Sequence, residues 1–276
     1  MSTGPELETV TTDGAEIPAL GFGTARMTGD ECRRAVETAL EVGYRHVDTA
    51  QMYDNEDAVG DALATSDVPR EAVFVTTKID TDNLAYDAAL ESTRASLDRL
   101  GLDAVDLLLI HAPRSHTPLE ETIRAMNELQ DESVVDHVGV SNFSVDQLHR
   151  ARTLSETPIV ANQVKYHPYH HQTDLLEYCI EHGICLTAYS PLAAGAVPGD
   201  DRLAEIGAAH GKSAAQVALR WLLQQPFVAA IPKASSREHI EANADVFDFE
   251  LSGEEMRDIG DIGGLWDRLA VKLGLR

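Results

Sequence analysis

The sequence predicts an α/β protein, a closed (β/α)8 TIM barrel with an N-terminal β-hairpin closing its bottom. Three observations carry that expectation. From residue 30 onward, stretches of helical periodicity alternate with short apolar or β-branched runs, the pattern of a parallel sheet wrapped by helices. With the run at 19–22 included, the apolar runs number eight. The 276 residues show no composition break, no low-complexity tract and no sequence repeat, so 1–276 reads as a single domain.

In order along the chain, residues 7–20 alternate around Thr12-Asp13-Gly14, which predicts a hairpin with Asp-Gly at its turn. Strands are expected near 19–22, 45–48, 73–78, 105–110, 136–140, 159–163, 184–188 and 228–231, with helices near 30–42, 54–64, 83–99, 118–131, 144–152, 173–182 and 213–225. The glycines of Gly21-Phe22-Gly23-Thr24 suggest a dinucleotide fingerprint. However, Arg26 holds the third glycine's place and no βαβ unit precedes Asp48, so the Rossmann reading fails.

Charge narrows the partners. Lys and Arg total 22 against 46 Asp and Glu, a net charge of −24 spread along the chain. That balance argues against nucleic acid and anionic membranes. It also predicts a protein adapted to a salt-rich cytoplasm, because at about 1 M salt the Debye length is near 3 Å and self-repulsion is screened. No apolar run is long enough for export or membrane insertion, which predicts a cytoplasmic location. Cys32, Cys179 and Cys185 lack metal-type spacing and read as free thiols. His167, His170 and His171 form a cluster, but no acidic or cysteine partner stands at a suitable spacing, so no metal is expected.

The chemistry gathers at strand ends. Asp48 and Tyr53 sit in and beside a strand-to-helix loop, Lys78 closes the run 72–77, and His111 closes the run 105–110. Taken singly, Lys78 reads as a strand-end side chain reaching for solvent and His111 as a core histidine. Together, at the carboxyl ends of the second, third and fourth barrel strands, the four form a constellation. A free phenol titrates near pH 10 and gives up its proton reluctantly. An ammonium about 4 Å away, at an effective dielectric of about 20, favours the phenolate by roughly 4 kcal/mol. Lys78 supplies that charge, Asp48 keeps it charged in an apolar strand, and His111 holds a carbonyl oxygen beside the hydroxyl.

Here the chain resembles the aldo-keto reductases. The residues that carry the resemblance are Gly21-Phe22-Gly23-Thr24, Asp48-Thr49-Ala50, Tyr53-Asp54-Asn55-Glu56, Lys78, His111, Gly139-Val140-Ser141-Asn142-Phe143, Asn162-Gln163-Val164, Tyr166-His167-Pro168-Tyr169, Ala188-Tyr189-Ser190-Pro191-Leu192 and Ile231-Pro232-Lys233. They run in order from about Leu20 to Leu251, most like the bacterial, plant and archaeal branch that includes the diketogluconate reductases.

The resemblance implies reduction of aldehydes or ketones with an extended nicotinamide cofactor, on a small-molecule substrate, by a monomer. Tyr53 would donate the proton. Gly23 and Thr24 would let the backbone approach the cofactor, Ser141, Asn142 and Gln163 would hold the nicotinamide carboxamide with Asp48 beside them, and Tyr189 would stack on the ring unless it is a barrel-top core aromatic. Ser190, Pro191 and Leu192 would begin a loop over the pyrophosphate. Lys233, Ala234, Ser235, Ser236 and His239 would surround the 2′-phosphate, and Asn243 would meet adenine. Ala234 and His239 stand where NADPH users commonly carry Ser and Arg, and Ala242 where Glu is frequent. The expectation is NADPH, with NADH or dual use open. Phe22 is expected to wall the substrate pocket, and Trp266 to cover its mouth or pack against a helix. A cofactor-sensing regulatory subunit is the competing function.

Overall fold

The computed structural model describes residues 8–114 and 116–262. Eight strands form one parallel sheet in sequence order: β3 (Phe22–Gly23), β4 (His46–Asp48), β5 (Phe74–Ile79), β6 (Val105–Ile110), β7 (Val135–Ser141), β8 (Ile159–Lys165), β9 (Cys185–Tyr189) and β10 (Val228–Ile231). A parallel bridge between Leu20 and Ala230 closes the barrel, with Gly21 N donating to Ala230 O at 2.9 Å and Ala230 N to Ala19 O at 2.8 Å. An antiparallel hairpin, β1 (Thr9–Thr11) and β2 (Glu16–Pro18), precedes it. Val10 and Ile17 are buried and Asp13 N reaches Gly183 O, just before β9, so the hairpin does close the amino-terminal end of the barrel.

Helices α1 (Gly29–Val42), α2 (Glu56–Thr65), α3 (Tyr86–Leu100), α4 (Leu119–Asp131), α5 (Val145–Leu154) and α6 (Thr173–Glu181) follow strands as expected. After β9 come α7 (Asp201–His210) and α8 (Ala214–Leu223), and after β10 come α9 (Arg237–Ala244) and α10 (Gly253–Asp261). Helices α7, α9 and α10 are additions to the sequence-based expectation. The apolar core runs continuously from Val10 to Ile262 through the barrel and between barrel and helices.

Strand parity decides what the barrel mouth receives. Side chains two residues apart share a face, so His46 and Asp48 of β4 lie on the same side as Thr76 and Lys78 of β5. The contacts agree: His46 Nε2 is 3.1 Å from Thr76 Oγ1, and Lys78 Nζ is 2.6 Å from Asp48 Oδ1. The same parity corrects the expectation for Phe22, which turns outward, 1% exposed, edge-on to Tyr44 at 5.6 Å. Gly21 and Gly23 also have a different reason for being glycine. A Cβ on Gly21 would stand 2.7 Å from His46 Nδ1, and one on Gly23 would stand 2.8 Å from Ile231 O. Both are needed so that β3 can approach its barrel neighbours.

Candidate active site

Four side chains meet where β4, β5 and β6 end. Asp48 is the last residue of β4, Lys78 the penultimate residue of β5, and His111 directly follows β6. Tyr53 closes a 3-10 turn, Gln51–Tyr53, before Asp54 swings through the left-handed region (φ 52°) into α2.

Lys78 is fully buried. Its Nζ donates to Asp48 Oδ1 at 2.6 Å and to Thr49 O at 2.7 Å, and lies 3.5 Å from Tyr53 Oη. Burial works against the ammonium, but the Asp48 carboxylate and the remaining polar contacts outweigh it and hold Lys78 above the usual lysine value. The other Asp48 oxygen accepts from Gln163 Nε2 at 2.6 Å. Both carboxylate oxygens are therefore engaged, as a buried charge requires.

His111 stands edge-on to Tyr53 with ring centroids 5.6 Å apart. Burial first, and then the Lys78 charge, push it down to about 4, so the ring is neutral at physiological pH. Its Nδ1 is buried without a hydrogen-bond partner. Around it, Asn142 Nδ2 donates to His111 O at 3.0 Å and Tyr189 Oη donates to Asn142 Oδ1 at 3.0 Å, while Ser141 Oγ donates to Gln163 O at 2.8 Å. Asn142 holds a positive φ of 62°, which its side chain tolerates better than most.

A cavity of about 600 Å³ opens over these groups. Asp48, Tyr53, His111, Ser141, Asn142, Gln163, Tyr189, Ser190, Pro191, Leu192, Gly23 and Lys233 line it. Phe22 does not, because its ring faces the helices. Ala25 and Arg26 form that wall instead. Thr24 is wholly buried beneath it, bonded through Oγ1 to Asp48 O at 3.0 Å. On the far side Ser190, Ala193 and Ala194 all have positive φ, near 50°, a concentration of strained backbone bordering the cavity.

The residues that the sequence places at the far end of a cofactor divide. Lys233 lines the cavity and is exposed. Ser235 and His239 are exposed, Ala234 and Asn243 are buried, and Ser236 Oγ caps α9 by accepting from His239 N at 3.3 Å. Trp266 lies outside the described residues. In the histidine cluster, His167 Nδ1 accepts from Tyr169 N and His171 Nε2 meets Pro168 O, and among the described residues no group of three or more metal-binding side chains occurs.

Several contributions carried no side-chain signal in the sequence. Thr49 acts through its main-chain oxygen. Ala194, Gly195 and Pro198 reach the cavity only because the loop after β9 folds back over it.

A parallel barrel with its polar groups on the strand-to-helix loops belongs to the barrel enzymes. Within them the chain belongs to the aldo/keto reductase family, whose sequence model matches residues 19–263. It is an oxidoreductase acting on carbonyl groups, in a family that uses nicotinamide cofactors. A glyoxal reductase of Bacillus subtilis strain 168 is 40% identical over 248 residues, covering 90% of this chain and 89% of that protein. The methylglyoxal reductase DkgB of Escherichia coli O157:H7 is 38% identical over 262 residues, covering 94% and 97%. Among solved structures, a candidate 2,5-diketo-D-gluconic acid reductase B superposes with a TM-score of 0.92 at 48% identity, covering 93% of this chain and 91% of that one. A Bombyx mori aldo-keto reductase in complex with NADP gives 0.86 at 34% identity, covering 92% of each. Among the described residues no helix is long and apolar enough to cross a membrane.

Proposed function

We propose that the chain reduces small aldehydes or ketones with NADPH, Tyr53 giving the proton. One observation carries this reading: a buried ammonium, Lys78, sits 3.5 Å from the Tyr53 hydroxyl and is held charged by Asp48 at 2.6 Å. The cavity residues suit a nicotinamide dinucleotide. Tyr189 offers a flat ring, Gln163 lines the cavity with a side-chain carbonyl able to accept from a carboxamide, His111 Nδ1 is an orphaned polar atom, and Lys233 supplies a cation at the other end. When bound, the reduced nicotinamide supplies hydride to the carbonyl carbon.

The protein's residues do the rest. As negative charge gathers on the carbonyl oxygen, Tyr53 donates its proton there, and Lys78 stabilises the phenolate left behind. Asp48 and the Thr49 carbonyl hold Lys78 in place. Neutral His111 donates a hydrogen bond that orients the carbonyl. Glyoxal and methylglyoxal, the substrates named for two relatives, are small dicarbonyls, and they head the substrate class we assign.

Lys233, Ser235 and the amino terminus of α9, capped by Ser236, support a 2′-phosphate and thus NADPH. Arg237 pairs with Glu41 and Glu241 and contributes less. We also read the chain as a single-domain, monomeric, cytoplasmic enzyme of a salt-rich interior. No observation favours the regulatory-subunit reading. The test is a panel of aldehydes, dicarbonyls and ketones, each with NADPH and with NADH. Stoichiometric formation of alcohol and oxidised cofactor is expected, and no turnover on any member would remove the proposal.

A further inference from the structure

Asn55 stands at the N-cap of α2, where an asparagine ordinarily turns its side chain onto its own helix. It makes no such bond. Wholly buried, the side chain reaches away from the helix: Oδ1 accepts from Thr49 Oγ1 at 2.6 Å, and Nδ2 donates to Thr24 O at 2.9 Å and Met27 O at 2.8 Å. Each end of this amide serves a different part of the site.

The oxygen end fixes Thr49, whose main-chain carbonyl is one of the two shortest contacts of Lys78 Nζ, at 2.7 Å. The nitrogen end clamps both carbonyls that flank Ala25 and Arg26, two cavity-lining residues. Arg26 lies between the clamped carbonyls with φ 66°, a conformation a long side chain adopts only when its surroundings impose it. Thr24 N and Oγ1 both donate to Asp48 O at 3.0 Å, which ties the loop back to the strand that carries the counter-ion.

We infer that Asn55 is a positioning residue for catalysis, coupling the seat of Lys78 to the cavity loop 24–27. This rests on the assignment of Lys78 and Tyr53 made above. One amide sets both where the ammonium stands relative to the phenol and where the wall facing the cofactor and substrate stands. No other side chain of this size reproduces it. Aspartate keeps the acceptor but replaces the doubly donating Nδ2 by one oxygen that faces two carbonyls, and alanine releases both ends.

The experiment compares Asn55→Ala, Asn55→Asp and Thr49→Val with the wild type, counting active sites by NADPH titration and following steady-state rates on one aldehyde. Thr49→Val cuts only the Lys78 arm. It should lower kcat roughly ten- to a hundredfold with both KM values within about twofold. The two Asn55 variants should add a KM increase of about threefold or more for cofactor and aldehyde, because the loop is then also released. If Thr49→Val and whichever Asn55 variant folds show a lower Tm but unchanged kcat and KM per active site, Asn55 is scaffold and the inference is overturned. Failure of the underlying assignment shows elsewhere, as normal turnover by Tyr53→Phe in an otherwise intact protein.

Discussion

Lys78 Nζ and Asp48 Oδ1 stand 2.6 Å apart with side chains 0% and 2% exposed. A pair so buried is costly to form and more costly to break, because removing one partner leaves the other charge without water or counter-ion. Asp48→Asn should therefore lower the unfolding free energy by about 3 to 5 kcal/mol, read from urea midpoints. It should also depress kcat, since the ammonium beside Tyr53 is no longer secured. The double variant Lys78→Met, Asp48→Leu should recover much of the stability and none of the activity. An Asp48→Asn protein as stable as wild type would mean that the pair is not charged.

Tyr53→Phe removes the proposed proton donor and leaves the ring that faces His111. The expected loss in kcat is about 10² to 10⁴, the usual range for a general acid. Cofactor affinity, measured by fluorescence titration, should stay within about threefold. A rate within tenfold of wild type would transfer the proton to another group.

Much of this was readable beforehand, and what was not has physical reasons. Lys78 and His111 were visible because each closes an apolar run, and in a parallel barrel such ends share one face. Phe22 was misplaced because parity within a two-residue strand is set by its neighbours: Gly23, not Phe22, faces the cavity. Helices α7 and α10 were missed although both carry end signals: Ser252 and Glu255 make a capping box for α10, and α7 runs from an Asp200 cap to Gly211 in the left-handed region. Helix α9 is short and mostly exposed, so no apolar stripe marked it. Asn55 gave no sign of its contacts, because it occupies a capping position without capping. Which backbone carbonyl receives a buried amide is a tertiary fact, and no local pattern encodes it.

The imidazole of His111 sets a pH signature. Its folded value, about 4, lies below the usual 6.5 because of burial and then Lys78. Between those values the unfolded chain binds more protons than the folded one, so this group's stabilising contribution is complete above pH 6.5 and lost as pH falls through 4. His167, pushed down to about 3 by burial and nearby positive charge, acts in the same direction. Urea midpoints should fall as pH drops from 6.5 towards 4. The acid limb of kcat/KM assigned to His111 should appear near 4, and a limb near 6.5 that disappears in His111→Gln would contradict the buried, neutral ring.

A net charge of −24 on 276 residues makes the fold sensitive to ionic strength. Raising salt from about 0.1 M to 1 M shortens the Debye length from about 10 Å to 3 Å and screens repulsion among exposed carboxylates. Tm should rise by several degrees over that range in KCl, and dialysis into dilute buffer should lower activity and near-ultraviolet circular dichroism together. Chloride is the right salt here, because sulfate stabilises by exclusion whatever the charge. A flat Tm from 0.1 to 2 M KCl would remove the salt-adapted reading.

In the proposed function, cofactor choice turns on Lys233. It is exposed at the cavity rim, and among the described residues no carboxylate lies within ion-pairing distance of it, whereas Arg237 is already engaged by Glu41 and Glu241. A 2′-phosphate carries nearly two negative charges, and a single lysine beside a helix amino terminus favours it over a hydroxyl. The wild-type kcat/KM should therefore be higher with NADPH than with NADH. Lys233→Ala should cut the NADPH value by about tenfold or more, equivalent to about 1.4 kcal/mol, through KM rather than kcat. The NADH value should change little, because its adenosine ribose offers no phosphate to lose. A wild-type preference for NADH, or an equal loss with both cofactors in Lys233→Ala, would show that the lysine serves the diphosphate shared by both and that the 2′-position is read by something else.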